Sequence, residues 1–168
     1  MRDFLMFGAV IAEAQERLLA DPPTCAPPLR DALAQAAREA RPALPAAGVS
    51  RDPAWRIGLE RLCADVKAAA PGVGAAAFES LARMDADTIE RQADRWLAGV
   101  SLGVDLAAAP LIGAALQVHW AHRVGQLRAL PEPASVGVTA WVGRIADPRV
   151  CPCCGSLPTA SLVLEGGE

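Results

Sequence analysis

The chain has 168 residues, 52% of them hydrophobic, so it can bury one core and a second small module but not a second full domain. Its net charge is −3 and its sequence pI is near 5.4. No run of like charge stands out, which argues against a phosphate-binding surface and hence against a nucleic-acid partner. Alanine is abundant and Lys67 is the one lysine, a bias read as coding composition.

The opening Phe4 to Ala12 is apolar, and Ala12-Glu13-Ala14 has the small-x-small shape of a cleavage site. However, Asp3 offsets the single positive charge of the first three residues, and the apolar pattern continues past the supposed cut. Leu5, Gly8, Val10, Ile11, Ala12, Gln15, Leu18 and Leu19 form a stripe at helical spacing and predict an amphipathic first helix. Asp21-Pro22-Pro23 closes it, and after Pro27-Pro28 an Ala-rich helix is predicted from Leu29 to about Arg41. A loop rich in Pro, Ala and Gly follows. Asp52-Pro53 predicts an N-cap with proline at the first helical position, opening a helix whose apolar face is Trp55, Leu59, Leu62, Cys63 and Val66. Pro71-Gly72-Val73-Gly74 breaks it; Gly72-x-Gly74 is too short for a phosphate-binding fingerprint and follows a helix rather than a strand. A short helix over 75–83 leads to Asp85, the predicted cap of a helix carrying Ile89, Ala93, Trp96 and Leu97. The Glu90, Arg91, Asp94 and Arg95 of that helix read as a solvated face on which each arginine finds an acidic neighbour. The last helix is predicted from near Pro110 to Leu127. No stretch reaches the ~20 apolar residues of a spanning helix, so a soluble, cytoplasmic protein without membrane insertion is expected.

Beyond residue 130 the texture changes. Pro131-Glu132-Pro133 punctuates, Val136 to Ile145 reads as an extended linker or a weak strand, and Thr159 to Leu164 reads as a strand running into Gly166-Gly167. Between them lies Cys151-Pro152-Cys153-Cys154-Gly155. Cys25 and Cys63 stand alone and read as buried free thiols, whereas Cys151 and Cys154 have the spacing of a metal knuckle. In such a turn two thiolates grip one ion while backbone amides point at the sulfurs, and Gly155 permits a positive φ. Cys153 adds a third sulfur only at strained geometry. A tetrahedral site needs four ligands, and no second CxxC is present; a redox CxxC pair or a chance cluster are the other readings of these residues.

The pattern Cys151-Pro152-x-Cys154-Gly155-Ser156-x-Pro158-x-x-Ser161, followed by an apolar strand, resembles the FdhE family of formate dehydrogenase accessory proteins. Phe4-Leu5-x-Phe7 running into Ile11-Ala12-x-Ala14-Gln15-Glu16, Leu44-Pro45 through Trp55, and Trp120-Ala121 extend the resemblance over essentially the whole chain. It implies a helical domain followed by two rubredoxin-like, zinc-ribbon-like modules, and a cytoplasmic chaperone rather than an enzyme. The expected partner is the catalytic subunit of respiratory formate dehydrogenase, bound during maturation. By the resemblance, Cys151 and Cys154 are the first ligand pair of the first module, with iron or zinc as the ion in the full-length family member. The chain departs from the pattern in lacking the leader before the first helix, in placing Cys153 between the ligands, and in ending before the module's second CxxC. It therefore reads as the front half of an FdhE, for which no ion held by this chain alone is the other expectation, as is a homodimer whose two hairpins pool four sulfurs.

The predicted fold is thus mainly α: a multi-helix domain over residues 1–130, then over 131–168 a linker and the first hairpin of an incomplete rubredoxin-like module. A rubredoxin-like redox or sensor protein is the alternative function. His119 and His122 lie three apart on one helix but have no acidic or cysteine partner a turn away, and read as packing or surface residues. Trp55, Trp96 and Trp120 read as core or docking surface, with packing favoured. Paired carboxylates or a His with a nucleophile, the marks of acid–base or covalent catalysis, do not occur at recognisable spacing.

Overall fold

The computed structural model describes residues 2–70, 72, 74–131 and 140–157. Among these it contains six helices: α1 (Arg2–Ala20), α2 (Arg30–Arg38), α3 (Ala54–Ala69), α4 (Ala75–Ala82), α5 (Ala86–Leu97) and α6 (Ala109–Arg128). No strand occurs among the described residues; Val136 to Thr139 and the predicted strand at Thr159 to Leu164 lie outside them, and residues 140–145 are irregular. The chain divides into two units, one of residues 1–27 and 48–130, the other of 28–47 and 131–168. Residues 28–47, which sequence order alone runs together with the helices around them, therefore group with the cysteine segment.

In the first unit the order of apolar residues along α6 sets the architecture. Leu111, Ile112, Ala114, Ala115, Leu116 and Val118 are all buried, and at 100° per residue they cover more than half of the helix circumference. A helix so apolar is stable only when neighbours surround it, and α1, α3, α4 and α5 all pack against α6. Ile11, Ala14 and Leu18 of α1 and Leu59, Leu62 and Val66 of α3 enter the same core at i, i+3/i+4, i+7 spacing. On another side of α6, Gly113 makes room for the indole of Trp96, since a Cβ there would stand 3.0 Å from Trp96 Nε1. Trp96 is half exposed while Trp55 is 1% exposed, so packing governs Trp55 fully and Trp96 on one side. Gln15 adds a polar tether to α6, donating to the Ala114 carbonyl at 3.0 Å and to Gln117 Oε1 at 2.9 Å.

Of the two predicted caps, one is observed and one is displaced. Asp85 does cap α5, accepting from the Thr88 amide at 2.7 Å. Asp52, by contrast, sits one residue further from its helix: Pro53 occupies the cap position, and the Asp52 carboxylate accepts from Ala54 N and Ala26 N, each at 2.9 Å. These amides hold its carboxyl below the usual range and tie the end of the α1 connection to the start of α3. The turn that leads into α6 is held by Asp105, whose carboxylate accepts from the Ala107 and Ala108 amides at 3.0 Å and from the Ser80 hydroxyl of α4, while its own amide donates to Gln92 of α5. Asp105 thus joins α4 and the turn entering α6 through its carboxylate, and α5 through its amide.

The polar face of α5 is not the simple solvated surface its sequence suggests. Arg51, in the loop before α3, has a side chain only 3% exposed. It donates to Glu90 Oε2 at 2.6 Å and to Asp94 Oδ1 at 2.8 Å, and lies 5.7 Å over the Trp55 ring. Trp55 Nε1 donates to the other Glu90 oxygen at 2.9 Å. The acids of α5 are therefore taken by a residue some forty positions earlier. Arg91 turns to the Thr88 hydroxyl and Arg95 to the Gly103 carbonyl, because the expected intrahelical pairs lose to a partner that is already desolvated and can use its planar fork.

In the second unit α2 buries Leu33, Ala34 and Ala36. It ends earlier than predicted because Ala40 adopts φ 52° and the Arg41 amide turns back to the Ala36 carbonyl at 2.9 Å, a helix terminator that usually employs glycine. The Ala40 carbonyl then accepts from the Ala146 amide at 3.0 Å.

Replacing Arg51 by Met removes a cation from beneath two carboxylates while retaining its packing. A fully buried pair broken this way costs about 3–5 kcal/mol, and Glu90 and Asp94 keep contact with water, so a loss of about 2 kcal/mol is expected. A urea midpoint unchanged from the parent would contradict the role given to Arg51.

Candidate metal centre

The segment before the cysteines is set by Asp147, whose carboxylate accepts from the Arg149 amide at 3.0 Å and from Arg149 Nε and Nη2 at 2.9 Å. The chain then makes a tight turn. The Cys151 amide donates to the Ser156 carbonyl at 2.9 Å, and the Gly155 amide donates back to the Cys151 carbonyl at 2.8 Å. Gly155 takes φ +77°, the left-handed conformation that the sequence pattern requires of it.

The three thiols of this turn are chemically unequal. Partial burial pushes the Cys151 thiol up, but the amides of Cys154 and Cys153 and the Cys154 thiol all donate to its sulfur and hold it below the ordinary thiol range. Burial, with the neighbouring Cys151 and Cys154 sulfurs, pushes Cys153 up to about 11. A thiolate is the metal-binding form, so the turn favours Cys151 for that role and disfavours Cys153. Among the described residues no group of three or more His, Cys, Asp or Glu side chains converges to hold an ion. The donor set fits one knuckle of a tetrahedral site, two ligands of four.

Sequence reasoning missed the support under this turn. The amides of Ala43, Leu44 and Ala46 donate to the carbonyls of Pro152, Cys153 and Cys154 at 3.3, 2.7 and 2.9 Å. Leu44 and Ala46 are buried, a hint that this Pro-rich stretch is packed, yet no local pattern links residues more than a hundred positions apart. Of the remaining cysteines, both expected to be buried free thiols, Cys25 is buried and Cys63 is only partly so. Cys25 is buried with its sulfur 3.7 Å from Gln126 Oε1, and burial pushes half-buried Cys63 up to about 11.

His119 and His122 both line a small apolar cleft with Leu18, Trp55 and Val118. His119 is buried and meets Trp120 edge to face at 5.0 Å, in keeping with a packing role. Burial, and then the nearby Arg123 cation, push it down to about 4 against a smaller upward pull from Asp52.

Comparison with known proteins decides the family. The family profile described as "FdhE, N-terminal" matches residues 1–135. The chain belongs to the FdhE family. It is 34% identical to an FdhE homolog of Erwinia tasmaniensis over 98% of its own length and 52% of the homolog's. It is 32% identical to the FdhE homolog of Pseudomonas aeruginosa over its whole length and 51% of that protein. The crystal structure of the FdhE protein from Pseudomonas aeruginosa superimposes with a TM-score of 0.75 at 30% identity, covering 94% of this chain and 52% of that one. The chain thus spans about half the length of the curated FdhE relatives it matches, and the family resemblance carried by its motifs is borne out.

The depressed His119 has a stability consequence with a definite sign. Its folded value of about 4 lies below the unfolded value near 6.5. Between those limits the unfolded chain binds more protons, so stability is complete above about pH 6.5 and falls as pH drops toward 4, by about 2–3 kcal/mol. Thermal melts from pH 7 to 4 should show this slope, and His119→Gln should flatten it; a parent slope that survives the substitution would assign the effect elsewhere.

Proposed function

We propose that this chain is a non-enzymatic accessory protein of the cytoplasm that binds the catalytic subunit of respiratory formate dehydrogenase during assembly and maturation. The observation that carries this reading is the FdhE match across the helical part of the chain together with the shared fold. Around the end of α5 and the α5–α6 connection, Val100 is 47%, Leu102 86% and Leu106 77% exposed, next to half-exposed Trp96. Such side chains supply the apolar contact that a protein-binding surface uses, which favours the helical unit as the working surface. Cys151 and Cys154 are proposed as one knuckle for iron or zinc. A bound ion would supply a structural crosslink, and the amides aimed at the Cys151 sulfur would steady its thiolate.

A tagged 168-residue chain should capture the formate dehydrogenase catalytic subunit, and Leu102→Asp with Leu106→Asp should weaken capture about tenfold without changing helix content. A folded chain that captures no subunit would sink the proposal. The second reading, a rubredoxin-like redox or sensor protein, is favoured by the amide-lined Cys151 sulfur. Elemental analysis for iron and zinc separates the two: a chain purified free of metal that still captures the subunit excludes the second reading.

A further inference from the structure

Three successive peptide groups of the cysteine turn are each gripped at both ends. A peptide is planar and trans, with its C=O and N–H pointing in opposite directions, so holding one end aims the other. In the Pro152–Cys153 peptide, the carbonyl accepts from Ala43 N at 3.3 Å and the N–H points at the Cys151 sulfur. In the Cys153–Cys154 peptide, the carbonyl accepts from Leu44 N at 2.7 Å and the N–H again serves the Cys151 sulfur. In the Cys154–Gly155 peptide, the carbonyl accepts from Ala46 N at 2.9 Å and the N–H donates to the Cys151 carbonyl at 2.8 Å. Pro42 closes the arrangement: a Cβ on Gly155 would stand 3.0 Å from its Cγ.

We infer that Pro42–Ala46 is a standing scaffold for the cysteine turn, which orients the peptides from Pro152 to Gly155 before any cation arrives. The inference rests, for its purpose, on the reading of Cys151 and Cys154 as ligands. Its physical basis is separate. A free CxxC segment must order its backbone when it binds, and that conformational entropy is charged against affinity. Here the loop amides, stiffened by Pro42 before Ala43 and by Pro45 between Leu44 and Ala46, impose the turn in advance. Ala43, Leu44 and Ala46 are then positioning residues, acting through main-chain donors.

Hydrogen exchange on the unaltered, chelator-treated chain tests the scaffold directly. The Leu44 and Ala46 amides should exchange at least about 100-fold slower than an unstructured chain, with little change on adding Zn2+. Exchange at unstructured rates until metal is added would overturn the inference. In parallel, Ala46→Pro deletes one donor, and cobalt titration followed by sulfur-to-cobalt charge-transfer absorption should show about tenfold weaker binding than the parent at equal helix content. Equal affinity in parent and variant would also overturn it. Absence of the charge-transfer band in the parent would refute the ligand reading alone, while the exchange rates still decide the scaffold.

Discussion

The helical unit depends on the burial of α6. Its residues 111–118 are almost uniformly apolar, and water can be excluded from so broad a surface only by helices on several sides. That one requirement accounts for α1, α3, α4 and α5 all packing against the same helix. It also accounts for the small residues along α6: Gly113, Ala114 and Ala115 let neighbours approach closely, most visibly where Trp96 lies on Gly113. Each large core side chain, Trp55 and Leu62 among them, contributes on the order of 2–3 kcal/mol when buried.

Polar pins then select one arrangement of these helices from many that would bury the same surface. Arg51 reaches from the loop before α3 to Glu90 and Asp94 of α5, and Asp105 gathers α4, α5 and the start of α6. Hydrophobic burial is non-directional, whereas a guanidinium fork or a carboxylate accepting two amides tolerates little displacement. Register along the α5 face is set by these contacts, and the same contacts leave Trp96 turned partly outward beside the exposed leucines of the following loop.

The cysteine turn belongs to a different kind of structure, built from main-chain hydrogen bonds more than from apolar burial. Its amides face the Cys151 sulfur and its carbonyls face the Pro42–Ala46 loop. Family membership and the proposed accessory role rest on the helical part of the chain, while the proposed metal knuckle rests on the turn. Binding of a protein partner and binding of an ion are thus assigned to separate units of the chain.

Helix positions were legible in the sequence because they follow from local rules: proline and glycine punctuation, 3.6-residue apolar spacing, and the Asp85 cap. The CxxCG pattern was legible for the same reason, since a tight turn and its glycine are local. What the sequence could not reveal were partnerships across long separations. The acids of α5 looked like partners for Arg91 and Arg95 because those neighbours are a helical turn away, yet Arg51 wins them by arriving desolvated from another loop. The residues 43–46 looked like a connecting loop, yet their amides hold the carbonyls of Cys153 and Cys154. By itself the sequence determined which residues are helical, which are apolar and which can carry a thiolate. Only the tertiary structure decided which donors meet which acceptors, because a backbone amide carries no residue-specific signature and its partner is chosen by where the folded chain places it.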